Sequence, residues 1–149
     1  MRFWLPALLA IAVLPAGAHH PFTPFYDAST PGSVTGVVTE LRFINPHAVL
    51  IVEGPAPDGR TGRWAFEGYP PNVLVRQGPK DVKERLKPGT RITISGYPAK
   101  DPGARAFSGR DVTFEDGSTI RFGPTPAEGD RWSCGPDPCP YKYPEVLTP

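Results

Sequence analysis

Apolar and polar residues alternate along several short segments between residues 33 and 122, and this alternation predicts β-strands. β-branched and aromatic residues are frequent in these segments, as is typical of strands. The second segment is apolar on both faces, which indicates a strand covered on two sides. Five strands are predicted, at residues 33–43, 47–53, 62–67, 90–97 and 106–114, followed by a short hairpin return at residues 118–122.

The periodicity changes between the third and fourth strands. Pro70 and Pro71 precede a short apolar run that stops at Gly78, and proline in the first turn with glycine at the end is typical of a helix. A second helical turn is predicted at residues 81–86. Three strands, a short helix and two strands is the element order of the OB-fold, a five-stranded Greek-key barrel. We therefore predict an all-β, OB-like barrel with a short helix between strands 3 and 4. A small open barrel or roll of another topology is the alternative.

The third strand and the residues after it combine aromatic and acidic side chains. Trp64 and Phe66 share one strand face, and a domain of this size needs such rings in its core. Glu67 and Tyr69 lie nearer the strand end and are candidates for the barrel rim. A rim or face of an OB-fold that presents such side chains is suited to a saccharide or protein partner. Gly36 in the first strand suits a bulge or a sharp bend.

The first 18 residues have the pattern of an export signal. Arg2 precedes an apolar run at residues 3–15, which is shorter than the roughly 20 residues of a membrane helix. Small residues at positions 16–18 form a cleavage site, so we expect cleavage after Ala18 and a periplasmic or secreted product without membrane attachment. An uncleaved anchor is the alternative. The mature chain then divides into an N-terminal arm (19–32), the barrel domain (33–122) and a Pro-rich tail (123–149) that we expect to be extended or irregular.

The charge of the chain argues against a nucleic-acid partner, and its two cysteines predict a disulfide. The chain has 16 basic and 15 acidic side chains, and loss of Arg2 with the signal leaves the two equal. A net charge of zero gives no electrostatic basis for binding nucleic acid. Cys134 and Cys139 lie five residues apart in a Gly/Pro-rich stretch, and in an exported chain such a pair favours a local disulfide.

The histidines indicate the clearest chemistry. Three are present, and cleavage after Ala18 would give His19 a free α-amine that can chelate a metal together with its own Nδ1. Copper(II) favours nitrogen ligands in a square-planar arrangement, and His47 is the candidate for the third nitrogen. His20 could replace His47 as the further ligand, through its amide nitrogen and its ring. Pro21 has no amide N–H, so a longer peptide chelate is blocked there. The sequence therefore predicts a copper site at His19, His20 and His47.

Other interpretations of these histidines remain open. Many exported proteins begin with histidine, and His47 could simply hydrogen-bond a loop carbonyl. The chain then would be a metal-free OB-type interaction module for a protein or saccharide. Catalytic motifs are missing from the sequence: it has no Gly-x-Ser-x-Gly elbow and no Gly-rich phosphate loop after a strand. The one enzymatic hypothesis is a copper-dependent oxidase centred on His19, and the sequence shows no obvious residues that would hydrogen-bond and orient its histidine ligands.

A series of spaced motifs gives the chain a family resemblance. It resembles a family of small exported bacterial proteins classed only as a domain of unknown function, over about residues 19–122. The resemblance implies export and a β-rich domain but supplies no activity. Pro21 departs from the serine expected after the two histidines, and the cysteine-containing tail lies beyond the shared region. The motifs are His19-His20-x-Phe22, Val34-Thr35-Gly36-Val37-Val38-Thr39, Asn45-Pro46-His47, Trp64-x-Phe66-Glu67, Pro71-Asn72-x-Leu74-x-Arg76-x-Gly78, Leu86-Lys87-Pro88-Gly89 and Gly96-Tyr97-Pro98-Ala99-Lys100-Asp101.

Overall fold

The computed structural model describes residues 22–129 and 142–144. Over these residues the five predicted strands and the predicted helix occur in the expected order, with bounds shifted by two residues at most. A short sixth strand corresponds to the predicted hairpin return. The strands are β1 (Gly32–Arg42), β2 (Val49–Pro55), β3 (Thr61–Glu67), β4 (Arg91–Pro98), β5 (Ala106–Phe114) and β6 (Thr119–Arg121), and the helices are α1 (Pro71–Gln77), α2 (Val82–Arg85) and α3 (Pro126–Gly129).

The first five strands close into a barrel. β1 pairs with β4 along its first half and with β2 along its second half, so one long strand serves two neighbours. β2 pairs with β3, and β4 pairs with β5, both antiparallel. A parallel pairing of β3 with β5 closes the barrel, and β6 extends the sheet from β5. The predicted small all-β, OB-like barrel is confirmed.

The bend in β1 depends on Gly36 and on a bulge farther along. The register with β2 shifts between Val38 and Glu40, so the bulge follows Gly36 rather than including it. A Cβ atom at Gly36 would lie 2.7 Å from the carbonyl carbon of Glu53. Glycine at this position therefore allows β1 and β2 to approach closely just before the bulge.

The core fills the barrel interior and the end of the barrel that the helical connection covers. Trp64 and Phe66 are buried there, as predicted, and Trp64 Nε1 donates a hydrogen bond of 3.1 Å to the carbonyl of Gly54. Burying the indole N–H with a partner avoids the cost of an unsatisfied donor. The helical connection between β3 and β4 adds Leu74, Val82 and Leu86 to the same cluster. The helices thus close one end of the barrel.

The N-terminal arm packs on the outside of the barrel. Phe22 and Tyr26 are buried, and the Phe22 ring meets the Tyr97 ring of β4 edge-on at 5.2 Å. Tyr26 also forms an isolated antiparallel bridge with Ala99. Burying two rings outside the barrel fixes the arm in place.

Two parts of the predicted tail also contact the folded domain. Residues 123–129 continue from β6 into α3. Tyr143 packs against Tyr26 with ring centroids 5.6 Å apart. The predicted disulfide of Cys134 with Cys139 lies outside the described residues. In the part of the chain that is described, no helix is long and apolar enough to cross a membrane.

Candidate functional site

His47 and Glu67 lie side by side at the ends of two neighbouring strands. His47 precedes β2, directly after the cis peptide bond between Asn45 and Pro46, and Glu67 is the last residue of β3. The antiparallel pairing continues past both strands, because Gly68 N–H donates to the Ala48 carbonyl at 2.8 Å. His47 Nδ1 therefore lies 2.5 Å from Glu67 Oε1, with side chains 17% and 11% exposed. The two residues, predicted for separate roles, form one mostly buried pair.

Tyr26 of the arm completes this pair. Its hydroxyl donates a hydrogen bond of 2.8 Å to Glu67 Oε2, and its side chain is buried. An ionised carboxylate can only accept, so this pairing assigns the proton of a neutral His47 to Nδ1. The other ring nitrogen, Nε2, is then the one with a lone pair for a ligand. The arm, β2 and β3 together orient the imidazole.

A cavity of about 520 Å³ lies beside this triad. The arm forms one wall, the chain after β3 and helix α1 form the second, and α3 with the segment before it forms the third. The residues that line it are Phe22, Tyr26, His47, Glu67, Gly68, Tyr69, Pro70, Asn72, Val73, Arg76, Gln77, Ser108, Pro124, Glu128 and Gly129. Both residues predicted for a rim, Glu67 and Tyr69, thus face the same cavity as His47.

Tyr69 and Glu128 meet on the α3 side of the cavity. The Tyr69 hydroxyl donates a long hydrogen bond, of 3.5 Å, to Glu128 Oε2. The Thr125 amide and hydroxyl donate to the same oxygen at 2.7 and 2.9 Å. The two Thr125 hydrogen bonds hold the pKa of Glu128 below its ordinary value. Burial, followed by the nearby Glu128 charge, raises the pKa of Tyr69. At neutral pH this wall therefore presents a phenol and a carboxylate.

Among the cavity residues with polar or charged side chains, Tyr26, Arg76 and Glu128 bear most on the chemistry of the site, and none of the three was singled out from the sequence as a site residue. Tyr26 is 41 residues from Glu67, and no local pattern pairs them. Arg76 appeared only within a family motif. Glu128 had a detectable signal, because Thr125 and Glu128 stand three residues apart around a proline, which is the pattern of a helix-capping box.

Of the three predicted copper ligands, His47 lies within the described residues, and His19 and His20 lie outside them. No group of three or more His, Cys, Asp or Glu side chains that could hold a metal occurs within residues 22–129 and 142–144. The described residues thus provide one imidazole with a carboxylate behind it. A histidine whose other nitrogen is bound by a carboxylate is a common metal ligand in proteins.

Comparison with known proteins places this site within a family. Searches of curated proteins and of solved structures gave no significant match. A family model described as a family of unknown function matches residues 7–108. The matched region includes the whole Tyr26–Glu67–His47 triad, and it ends before β6 and α3. The chain therefore belongs to the Family of unknown function (DUF6152).

Proposed function

We propose that the exported, processed protein binds copper(II) between His19, at its mature N-terminus, and His47. The observation that supports this most directly is the docking of the arm beside His47. Phe22 and His47 line the same cavity, and Tyr26 shares Glu67 with His47.

The covalent chain limits how far His19 can be from this point. His19 precedes the buried Phe22 by three residues. Three extended residues span at most about 11 Å between Cα atoms. The length of the chain is therefore compatible with a copper ion shared by His19 and His47.

The ligand chemistry favours copper(II). The α-amine and Nδ1 of His19 with Nε2 of His47 would supply the three nitrogens that suit its tetragonal preference. The hydrogen bond from Nδ1 to Glu67 orients the His47 ring, and Tyr26 in turn holds Glu67. The sequence alone did not show these hydrogen-bond partners of His47. The amine exists only if the signal is removed after Ala18, so the proposal includes export.

Electron paramagnetic resonance during copper(II) titration tests this proposal. The protein is prepared by export to the periplasm, and mass spectrometry confirms His19 as its first residue. We expect one equivalent of copper with a nitrogen-rich tetragonal spectrum. One glycine added before His19, and separately His47→Ala, should each abolish that spectrum. His20→Ala is the matched control and should retain it.

Two results would reject the copper site. A glycine-extended protein that binds copper as tightly and with the same spectrum would show that the amine is not a ligand. An unchanged spectrum in His47→Ala would show that the barrel takes no part and that the terminus binds copper alone.

A metal-free interaction module for a protein or saccharide is the second candidate function. The observation that favours it is the position of Tyr69, which is partly buried and places its ring on the cavity wall. An EDTA-treated protein that binds a glycan on an array, and loses it in Tyr69→Ala but not in His47→Ala, would favour this module over the copper site.

A further inference from the structure

The walls of the cavity beside His47 are largely apolar. Phe22, Pro70, Val73 and Pro124 line it together with the ring of Tyr69. A Cβ atom at Gly129 would lie 2.7 Å from Cβ of Phe22, so α3 meets the arm there and joins two of the walls. A volume of about 520 Å³ with apolar walls is typical of a site for a small organic molecule.

The charged groups on these walls differ in their hydrogen-bond partners. Glu67 accepts hydrogen bonds from Tyr26 and pairs with His47, and Glu128 accepts from Thr125. Arg76, in the last turn of α1, has neither a salt bridge nor a side-chain hydrogen bond within the described part of the chain. Its guanidinium, which is exposed to solvent, is therefore free to pair with the anionic group of a bound molecule.

We infer that this cavity binds a small apolar carboxylate, with the carboxylate at Arg76 and the apolar body between Phe22, Tyr69 and Val73. A guanidinium matches a carboxylate through two parallel hydrogen bonds, which fixes the orientation of the bound molecule. The apolar walls favour a ring or short hydrocarbon body over a bare inorganic anion. The site requires no metal, so the metal-free protein tests it separately from the copper proposal, which uses the same cavity.

Isothermal titration calorimetry of the EDTA-treated mature protein tests this inference with two probes. They are 3-phenylpropionate and its uncharged analogue 3-phenylpropanol. We expect the carboxylate to bind at least about tenfold more tightly, because a charge-assisted pair is stronger than a neutral hydrogen bond. Arg76→Gln should remove this difference. Lys80→Gln is the matched control, because it removes one exposed positive charge from a residue that does not line the cavity.

A second variant tests the position of the apolar body. Val73→Trp should fill part of the cavity and weaken both probes at least tenfold, with circular dichroism used to confirm folding. Equal affinity of the wild type for the two probes, no binding of either, or a preference that survives Arg76→Gln would each overturn the inference. Unchanged affinities in Val73→Trp would place the binding site elsewhere and would also overturn it.

Discussion

At the scale of single residues, the function proposed here depends on a chain of three side chains from three elements. Tyr26 comes from the arm, Glu67 from the end of β3 and His47 from the turn before β2. The sequence alone shows that Glu67 can carry a negative charge and that His47 can bind a metal. Their meeting depends on the β2–β3 register, which places Val49 opposite Glu67 and extends through Ala48. A sequence pattern identifies such residues but does not show that they touch.

Tyr26→Phe should destabilise the protein by about 1–3 kcal/mol. The change keeps the buried ring but removes the donor to Glu67 Oε2, so a mostly buried carboxylate loses one of its hydrogen bonds. Urea unfolding of the metal-free protein measures the loss.

Tyr143→Phe is the matched control for this change. Its hydroxyl donates to a backbone carbonyl, that of Phe25, rather than to a carboxylate. We expect a cost of about 1 kcal/mol or less. Equal losses in the two variants would mean that the bond to Glu67 contributes no more than a neutral one.

At the scale of elements, length and local composition together decided what the sequence could predict. The five barrel strands and α1 are long enough to show a period, and their bounds differ from the prediction by two residues at most. Helices α2 and α3 have four residues each, too few for a period of 3.6, and α3, which was not predicted, lies in a Pro-rich stretch. Its one local signal is the capping box of Thr125 and Glu128, whose reciprocal bonds are Thr125 N–H to Glu128 Oε2 and Glu128 N–H to Thr125 Oγ1.

This capping box predicts a pH dependence of stability. The pKa of Glu128 is lower in the folded chain than its ordinary value of 4.5. Its ionised form therefore stabilises the fold above about pH 4.5, and this contribution is lost as the pH falls through the lower, folded-state pKa. Glu128→Gln keeps an acceptor for the capping box but removes the charge. The stability difference between wild type and Glu128→Gln should be largest at pH 7 and shrink below pH 4.5.

Urea unfolding at several pH values between 3 and 7 measures this difference. Thr125→Ala serves as the companion variant, because it removes the hydroxyl donor and should cost about 1 kcal/mol at neutral pH. A difference between wild type and Glu128→Gln that stays constant with pH would show that the charge of Glu128 does not stabilise α3.

At the scale of the whole molecule, the order of elements was enough to predict the barrel. A long, bent β1 that pairs with two strands, and a helix before β4, restrict the topology to few choices. The positions of the two terminal segments were not predictable in the same way. Tyr143 lies 118 residues from the Phe25 carbonyl that it binds, and such a contact leaves no trace in local periodicity. The arm and the C-terminal segment (residues 142–144) are thus brought into contact by the folding of the barrel, not by any local sequence pattern.

The contact between these segments predicts coupling between Tyr143 and the proposed copper site. Tyr143 packs on Tyr26 and donates to the Phe25 carbonyl, which also accepts from Lys100 N–H at 2.9 Å. Tyr143→Ala should leave the arm less ordered. The free energy needed to order the arm would then reduce the free energy of copper binding. We expect copper(II) affinity to fall at least about fivefold.

Two measurements separate this coupling from a general loss of stability. Hydrogen exchange of the Lys100 amide, in the absence of copper, should become faster in Tyr143→Ala because this amide reports on arm docking. Phe114→Ala is the control: it also truncates a partly buried ring, one that packs against Arg85 and the barrel core rather than the arm. If Phe114→Ala lowers copper affinity as much as Tyr143→Ala, the effect is global, and the C-terminal segment does not hold the arm for metal binding. A fall confined to Tyr143→Ala, with faster exchange at Lys100, would mean that the two ends of the chain cooperate to place His19 beside His47.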